Sequence, residues 1–500
     1  MVAGYALLAT ALLALPGAHA VVNYASDFVD PSYILDFKYE AQTTHAQQTI
    51  VSWANRLGRS RPWSVLNKPY LAPTNDPHDY MSWAPYYWPD CSNAGNTSVL
   101  AVDESTYIHN TANMHTTNHA LPVHTHTHTH TRSHPVFKTC LYSNHDGALN
   151  PDARLVNNIG DFDEMSNAIF YASMAWGVTR SKTYSHRAAS LIDSWFLHEK
   201  SYMNPHLNYA QLKGGPAVRD QMGRHTGVLD LKGMIKIASG ALLLRQGNAE
   251  GWNATIDGRF QTWVSNYTNW IKNSPIAQDE EASVNNHGTF YSAQLAALQL
   301  ITNDTQDAAA TIQKYFDGHF KHQIKLDGSQ PYELNRTRPY HYLAYNLAAM
   351  VTAARIGEYA GINVWDTKSD EGATIQTACD FAMNYDPKNE LPDELYPVVA
   401  AVAAHYGDPD GKYSGWLNQK TNGQYVTEPS FFWTQPLSDS GNAVPTFVTF
   451  ARGGRTGTIT PGTRPTGGTS AASRRASLPL GALALPAALF ALAGALYSLF

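Results

Sequence analysis

Four short clusters of this 500-residue chain hold residue types able to do chemistry. The first is Lys68-Pro-Tyr-Leu followed by His78-Asp79-Tyr80-Met-Ser82-Trp-Ala-Pro-Tyr86-Tyr87-Trp88-Pro89. The second is Met203-Asn204-Pro205-His206-Leu207-Asn208-Tyr209-Ala210-Gln211, and the third Asn285-Asn286-His287-Gly288. The fourth is Glu333-Leu-Asn-Arg336-Thr337-Arg338-Pro-Tyr340-His341-Tyr342-Leu-Ala-Tyr345-Asn346-Leu. Each has a plain account when taken singly. Asn285 or Asn286 caps a helix that starts near His287. The Tyr and His residues of 340–345 suit a helix core, and Arg336 and Arg338 suit surface ion pairs.

Together they meet one chemical demand. Cleaving a 4-linked uronide by β-elimination requires removing the C5 proton, which is only weakly acidic while the adjacent carboxylate is charged. A site for that reaction neutralises the carboxylate with donors such as an Asn amide, His and Arg. A base then takes H5 and an acid protonates the departing O4. A Tyr hydroxyl near cationic residues can serve in either role, and the nearby positive charge is expected to lower its pKa towards the working range.

The elements that must position these groups read as helices. Apolar residues recur at three- and four-residue spacing over 160–178, 184–197, 226–246, 255–273, 287–302, 306–320, 339–360, 370–384 and 393–404. The connections are rich in Gly, Pro, Asn and Asp, nothing indicates a parallel sheet, and no fixed repeat period appears. Many helices of similar length predict an all-α chain of paired helices around a central axis.

Both ends of the chain read as addresses. Residues 1–20 hold a short apolar run and the small-residue site Ala18-His19-Ala20, as in a cleaved secretory signal. Residues 453–477 form a polar linker, and 478–500 run apolar to the last residue, the pattern of a GPI-anchor signal. A plain C-terminal membrane helix is the rival reading. The expectation is a secreted protein kept at a eukaryotic cell surface by a lipid anchor, its body spanning 21–452. Cys91 and Cys140 flank an odd segment and are expected to pair, with Cys379 free and buried. Asn96, Asn253, Asn266 and Asn303 head glycosylation sequons. Asn335 heads another beside the proposed site and is expected to stay bare.

The odd segment, 99–136, contains an alternating His-Thr tract from His124 and reads as a low-complexity insertion or a gene-model artefact. No HExxH or CxxC spacing occurs, so no metal and no other cofactor is expected. A net charge of −6 argues against a nucleic-acid partner. A monomer is expected.

The His-Asp-Tyr…Tyr-Trp-Pro, Met-Asn-Pro-x-Leu-Asn-Tyr-Ala-Gln, Asn-Asn-His-Gly and Arg-Thr-x-x-x-x-Tyr-x-x-x-Asn-Leu runs, in that order across residues 64–350, resemble the alginate-lyase superfamily. The resemblance implies an (α/α) toroid, an incomplete barrel of paired helices, and metal-independent elimination on polymannuronate, mixed alginate or β-1,4-glucuronan. By position, Asn286 and His287 match the carboxylate-neutralising pair, Arg336 the Arg and Tyr342 the catalytic Tyr. Tyr345 is the rival, because Arg338 to Tyr345 is also an acceptable spacing. Asn204, Asn208, Tyr209 and Gln211 match a segment lining the cleft, and Tyr80, Tyr86 and Trp88 a lid over substrate; Arg338 and Tyr345 complete the expected substrate contacts. Two other functions stand beside this one. A wall-anchored binding protein on the same scaffold would keep the aromatics without turnover. A glycosidase would need two opposed carboxyl groups, for which Asp161, Asp163, Glu164, Glu280 and Glu333 are candidates.

Overall fold

Where the apolar residues fall on each helix decides which helices lie inside. The computed structural model describes residues 27–39, 43–60, 62–99, 136–216, 221–434, 450–452 and 455–457. In chain order its main helices are α1 (Thr44–Leu57), α2 (Asn158–Thr179), α3 (Lys182–Ile192), α4 (Met234–Gln246), α5 (Ala254–Asn273), α6 (Pro275–Glu281) and α7 (Asn286–Ile301). They continue with α8 (Thr305–Asp317), α9 (Pro339–Tyr359), α10 (Ile375–Asn384), α11 (Tyr396–Tyr406) and α12 (Lys412–Thr421).

Helices α2, α4, α7, α9 and α11 are buried on nearly every side; in α7 every residue from Gly288 to Ile301 is buried. Such helices can only be interior. Their partners are amphipathic. Helix α5 buries Phe260, Trp263, Val264, Tyr267 and Ile271, a single stripe at helical spacing, and α8 buries Ala308, Ile312, Tyr315 and Phe316. Each Val, Ile or Phe among them contributes about 1.5–3 kcal/mol on full burial. The inner helices touch one another in chain order, and α3, α5, α8, α10 and α12 pack on their outer sides. This is the expected all-α toroid of paired helices.

Helix ends depart from the sequence reading where local turns intervene. The helix expected over 306–320 stops at Asp317, before Gly318, and that expected over 370–384 starts only at Ile375, behind a capping box from Thr374. The 226–246 stretch opens as a tight turn, His225–Leu231, and 184–197 ends in a wide turn, Asp193–Leu197. The 393–404 stretch is a tight turn, Pro392–Leu395, followed by α11. Helices α1, α6 and α12 fall outside the expected ranges, as do the short strands, among them β1 (Met81–Trp83), β2 (Tyr87–Asp90), β3 (Leu141–Asn144) and β4 (Tyr209–Leu212). β1 pairs in parallel with β4, and β2 pairs antiparallel with β3, placing Tyr87 opposite Asn144. Tyr70, Met81, Trp83, Val136, Ala153, Val156 and Leu212 form a small core of their own.

Cys91 and Cys140 are disulfide-bonded as expected, and Cys379 is free and buried. Beyond them Val99 bridges Phe137, so the ribbon is tied on both sides of residues 100–135, which lie outside the described residues. Also outside them are 1–20 and 478–500, and all of 453–477 except the strand Arg455–Gly457. Asn96, Asn253, Asn266 and Asn303 are all exposed. Asn253 also caps α5, and the Asn303 side chain is held by Arg245 and Gln261.

Candidate active site

Two inner helices begin at the site. Asn285 is in extended conformation and its side chain accepts from the His287 N–H at 3.2 Å, which starts α7 with Asn286 and His287 in its first turn. Gly288 permits this: a Cβ there would lie 2.0 Å from the Ser283 carbonyl oxygen. Two buried carboxylates then fix the pair. Glu333, on the single turn Pro331–Leu334, accepts from the Asn286 backbone N–H at 2.7 Å and from its Nδ2 at 2.8 Å. Glu280, at the end of α6, meets His287 Nδ1 at 2.5 Å and His225 Nδ1 at 2.7 Å.

The two carboxylates differ in charge preference. Burial raises the Glu333 pKa above the usual carboxylate value, the hydrogen bonds from Asn286 pulling it only partly back. Burial acts the same way on Glu280, but His287 and His225 outweigh it and hold that carboxyl below its usual value. With both Nδ1 atoms engaged, the reactive nitrogen left to each imidazole is Nε2. Neither Glu280 nor His225 was read as part of an imidazole cluster. In the sequence Glu280 stands only as a possible glycosidase carboxyl and Glu333 as that and as the head of the fourth cluster, while His225 falls just before the helix expected over 226–246.

Arg336 and Tyr342, the pair that the resemblance implies, are in contact. Arg336 precedes α9, Tyr342 lies in its first turn, and Arg336 Nη2 donates to the Tyr342 hydroxyl at 2.7 Å. The guanidinium also lies over the phenol ring, 3.7 Å from its centroid. The rival is placed otherwise. Tyr345 stacks on His341 and packs against Phe290, while Arg338 forms an ion pair with Glu394 at 3.8 Å. Contrary to expectation, the Tyr342 pKa is raised from 10.0: burial pushes it up, and Tyr86, Arg336 and Arg338 offset only part of that. The sequence shows the cations but not the desolvation.

The β2–β3 ribbon lies over this pair. The Tyr86 hydroxyl is 3.4 Å from that of Tyr342, and Trp88 donates to the Ala148 carbonyl. Just past β3, Asp146 forms an ion pair with Arg336 at 2.9 Å, a contact no spacing announced. Tyr80 is a correction: it is fully buried and its hydroxyl bonds Asp230, so it braces the floor instead of closing on substrate. Asn204 and Gln211 are also committed to the scaffold. The Asn204 amide donates to Asp76 and Asp79; the Gln211 amide donates to Asp230, and its oxygen accepts from Thr226. Asn208 accepts from Trp270, and Tyr209 is half-buried beside His206. Of the expected contacts, Tyr86 is joined directly to Tyr342. Among the described residues, no group of three His, Cys, Asp or Glu is placed to hold a metal ion.

A family model described as alginate lyase matches residues 64–390. Among solved structures, an alginate lyase from Bacteroides ovatus is 24% identical, with a TM-score of 0.63, over 78% of this chain and 93% of that one. Alginate lyase A1-III from Sphingomonas species A1 is 13% identical, with a TM-score of 0.36, over 79% of this chain and 91% of that one. A comparison with curated protein sequences finds no match.

Proposed function

The chain belongs to the alginate lyase family, and from that premise we propose that it cleaves a 4-linked polyuronate, mannuronan or mixed alginate or β-1,4-glucuronan, by metal-independent β-elimination. The observation that carries this reading is the Tyr342 hydroxyl accepting from Arg336 at 2.7 Å, with Asn286 held on Glu333, a carboxylate that also feels the charges of Arg336 and His287.

The residues divide the work as follows. Asn286 has one amide N–H on Glu333 and a second to give. That N–H, His287 Nε2 and Arg336 bind the uronate carboxylate and take up the negative charge that grows on it as H5 leaves. Arg336 stabilises the phenolate form of Tyr342, which can accept H5; the phenol form can donate to O4. The electrons of the C5–H bond become the C4=C5 double bond, the C4–O4 bond breaks, and O4 departs protonated. Burial opposes the phenolate and Arg336 favours it, so in this reading the hydroxyl gives up its proton to solvent before it takes H5, and it then passes that proton to O4. The glycosidase alternative loses support because Glu280 and Glu333, both fully buried, are committed to His225, His287 and Asn286. Asp161 and Asp163 are buried too, and Glu164 accepts from Trp63.

Purified protein incubated with polymannuronate, mixed alginate and glucuronan should generate the ultraviolet absorbance of the unsaturated uronate, at a rate unchanged by prolonged chelation. New reducing ends without that absorbance would refute elimination, and a loss restored by a divalent ion would refute metal independence. The end segments support a further proposal, secretion and lipid anchoring at the cell surface. Release from membranes by a phosphatidylinositol-specific phospholipase tests it, and retention would count against the anchor.

A further inference from the structure

One group of charges beside the catalytic set has no part in the reaction above. Lys213 follows β4, and Arg224 stands just before His225. Lys213 Nζ lies 4.8 Å and Arg224 Cζ 4.7 Å from the centroid of the Tyr87 ring, and all three residues are half-buried. Among the described residues, neither cation enters an ion pair; the pairs on either side of them in the chain are His206–Asp79 and His225–Glu280. Each gains only a modest attraction from the ring, and two like charges drawn to one ring repel each other. An incoming anion offsets that repulsion.

The backbone holds this arrangement in place. Arg224 N–H donates to the Ala210 carbonyl at 3.0 Å and Gly223 N–H to that of Asn208 at 2.6 Å. A Cβ on Gly223 would lie 2.4 Å from the Ala210 oxygen, so only glycine lets the segment press onto β4. The Gln221 side chain bonds both the N–H and the C=O of Lys213, closing the loop on the other cation. Sequence neighbours then tie the group to the catalytic residues. Tyr86, adjacent to Tyr87, reaches Tyr342, and His225, adjacent to Arg224, shares Glu280 with His287.

We propose that Lys213 and Arg224, gathered around Tyr87, form a second carboxylate subsite, which grips a uronate of the same polymer chain away from the scissile bond. A polyuronate carries one carboxylate per sugar, so a second cationic site beside the first favours an uninterrupted uronate run over an isolated uronate in a neutral polymer. The inference rests on the polyuronate reading of the active site.

The test uses the Tyr342→Phe enzyme as the binding form and polymannuronate and glucuronan as probes, with affinity measured by calorimetry. Adding Lys213→Met or Arg224→Met should weaken binding by about 5- to 10-fold each, the loss of one charge-assisted contact at a half-buried site. In the otherwise intact enzyme the same changes should raise KM more than they lower kcat, and Arg224→Lys should recover part of the loss. Added salt should weaken binding to the parent more than to the double variant. Equal affinity and KM in folded Lys213→Met and Arg224→Met enzymes, checked by thermal unfolding, would overturn the subsite and leave the lyase reading intact. If the parent neither binds nor cleaves any polyuronate, the reading itself fails and the subsite falls with it.

Discussion

Replacing Glu280 by Gln keeps the volume of a fully buried side chain and removes one charge. In the native protein its two oxygens meet Nδ1 of His287 at 2.5 Å and of His225 at 2.7 Å. A Gln oxygen can still accept from one imidazole, but its NH₂ group then faces the other. That second ring must face the NH₂ with a bare Nδ1, so it is held neutral and can no longer lend positive charge to the substrate carboxylate. A hydrogen bond to a charged partner contributes about 1.5–3 kcal/mol. If that stabilisation is realised in the transition state, kcat falls about 10- to 100-fold, with a smaller change in KM. Initial rates followed by unsaturated-uronate absorbance over a range of substrate concentrations give both constants, and thermal unfolding confirms that the variant folds. A folded Glu280→Gln enzyme with kcat within about threefold of the parent, a gap worth less than the one hydrogen bond, would refute the argument that this carboxylate orients His287.

Three further outcomes are expected. Tyr342→Phe should abolish elimination by about three orders of magnitude or more with binding largely kept, while Tyr345→Phe keeps most activity; the reverse result would move the catalytic role one turn along α9. Asn286→Ala should lower kcat by about 10²–10³ and raise KM less, because the contact tightens as charge develops on the carboxylate; a change in KM alone would reduce Asn286 to a binding residue, and methyl-esterified substrate should narrow the gap between variant and parent. Burial pushes the pKa of Lys68 down to about 7, against the pull of Asp79 and Asp76. Between that value and the unfolded value near 10.5 the unfolded chain binds the extra proton, so Lys68 makes stability rise with pH across this window; thermal unfolding of Lys68→Met over the same range should lack that rise, and identical profiles would show that the amine is not so perturbed.

The sequence by itself determined what depends on near neighbours along the chain. Helical periodicity located most of the helices, because a buried stripe or an all-apolar run repeats with the helix turn. The Asn285-Asn286 pair announced the start of α7 without saying which Asn caps it, and the family resemblance, not spacing alone, picked out Arg336 and Tyr342, which lie just before and in the first turn of α9. Cys91 and Cys140 were legible as a pair from the segment they flank. Tertiary structure alone decided the partners. Glu333 reaches Asn286 across 47 residues, Glu280 reaches His225 across 55, and Asp146 reaches Arg336 across 190. Such contacts depend on which helices abut, and no spacing records that. Burial is likewise a property of the whole packing. It turned Tyr80 from an expected lid residue into a brace on Asp230, and it reversed the expected direction of the Tyr342 pKa, because desolvation at that position outweighs the cations the sequence displays.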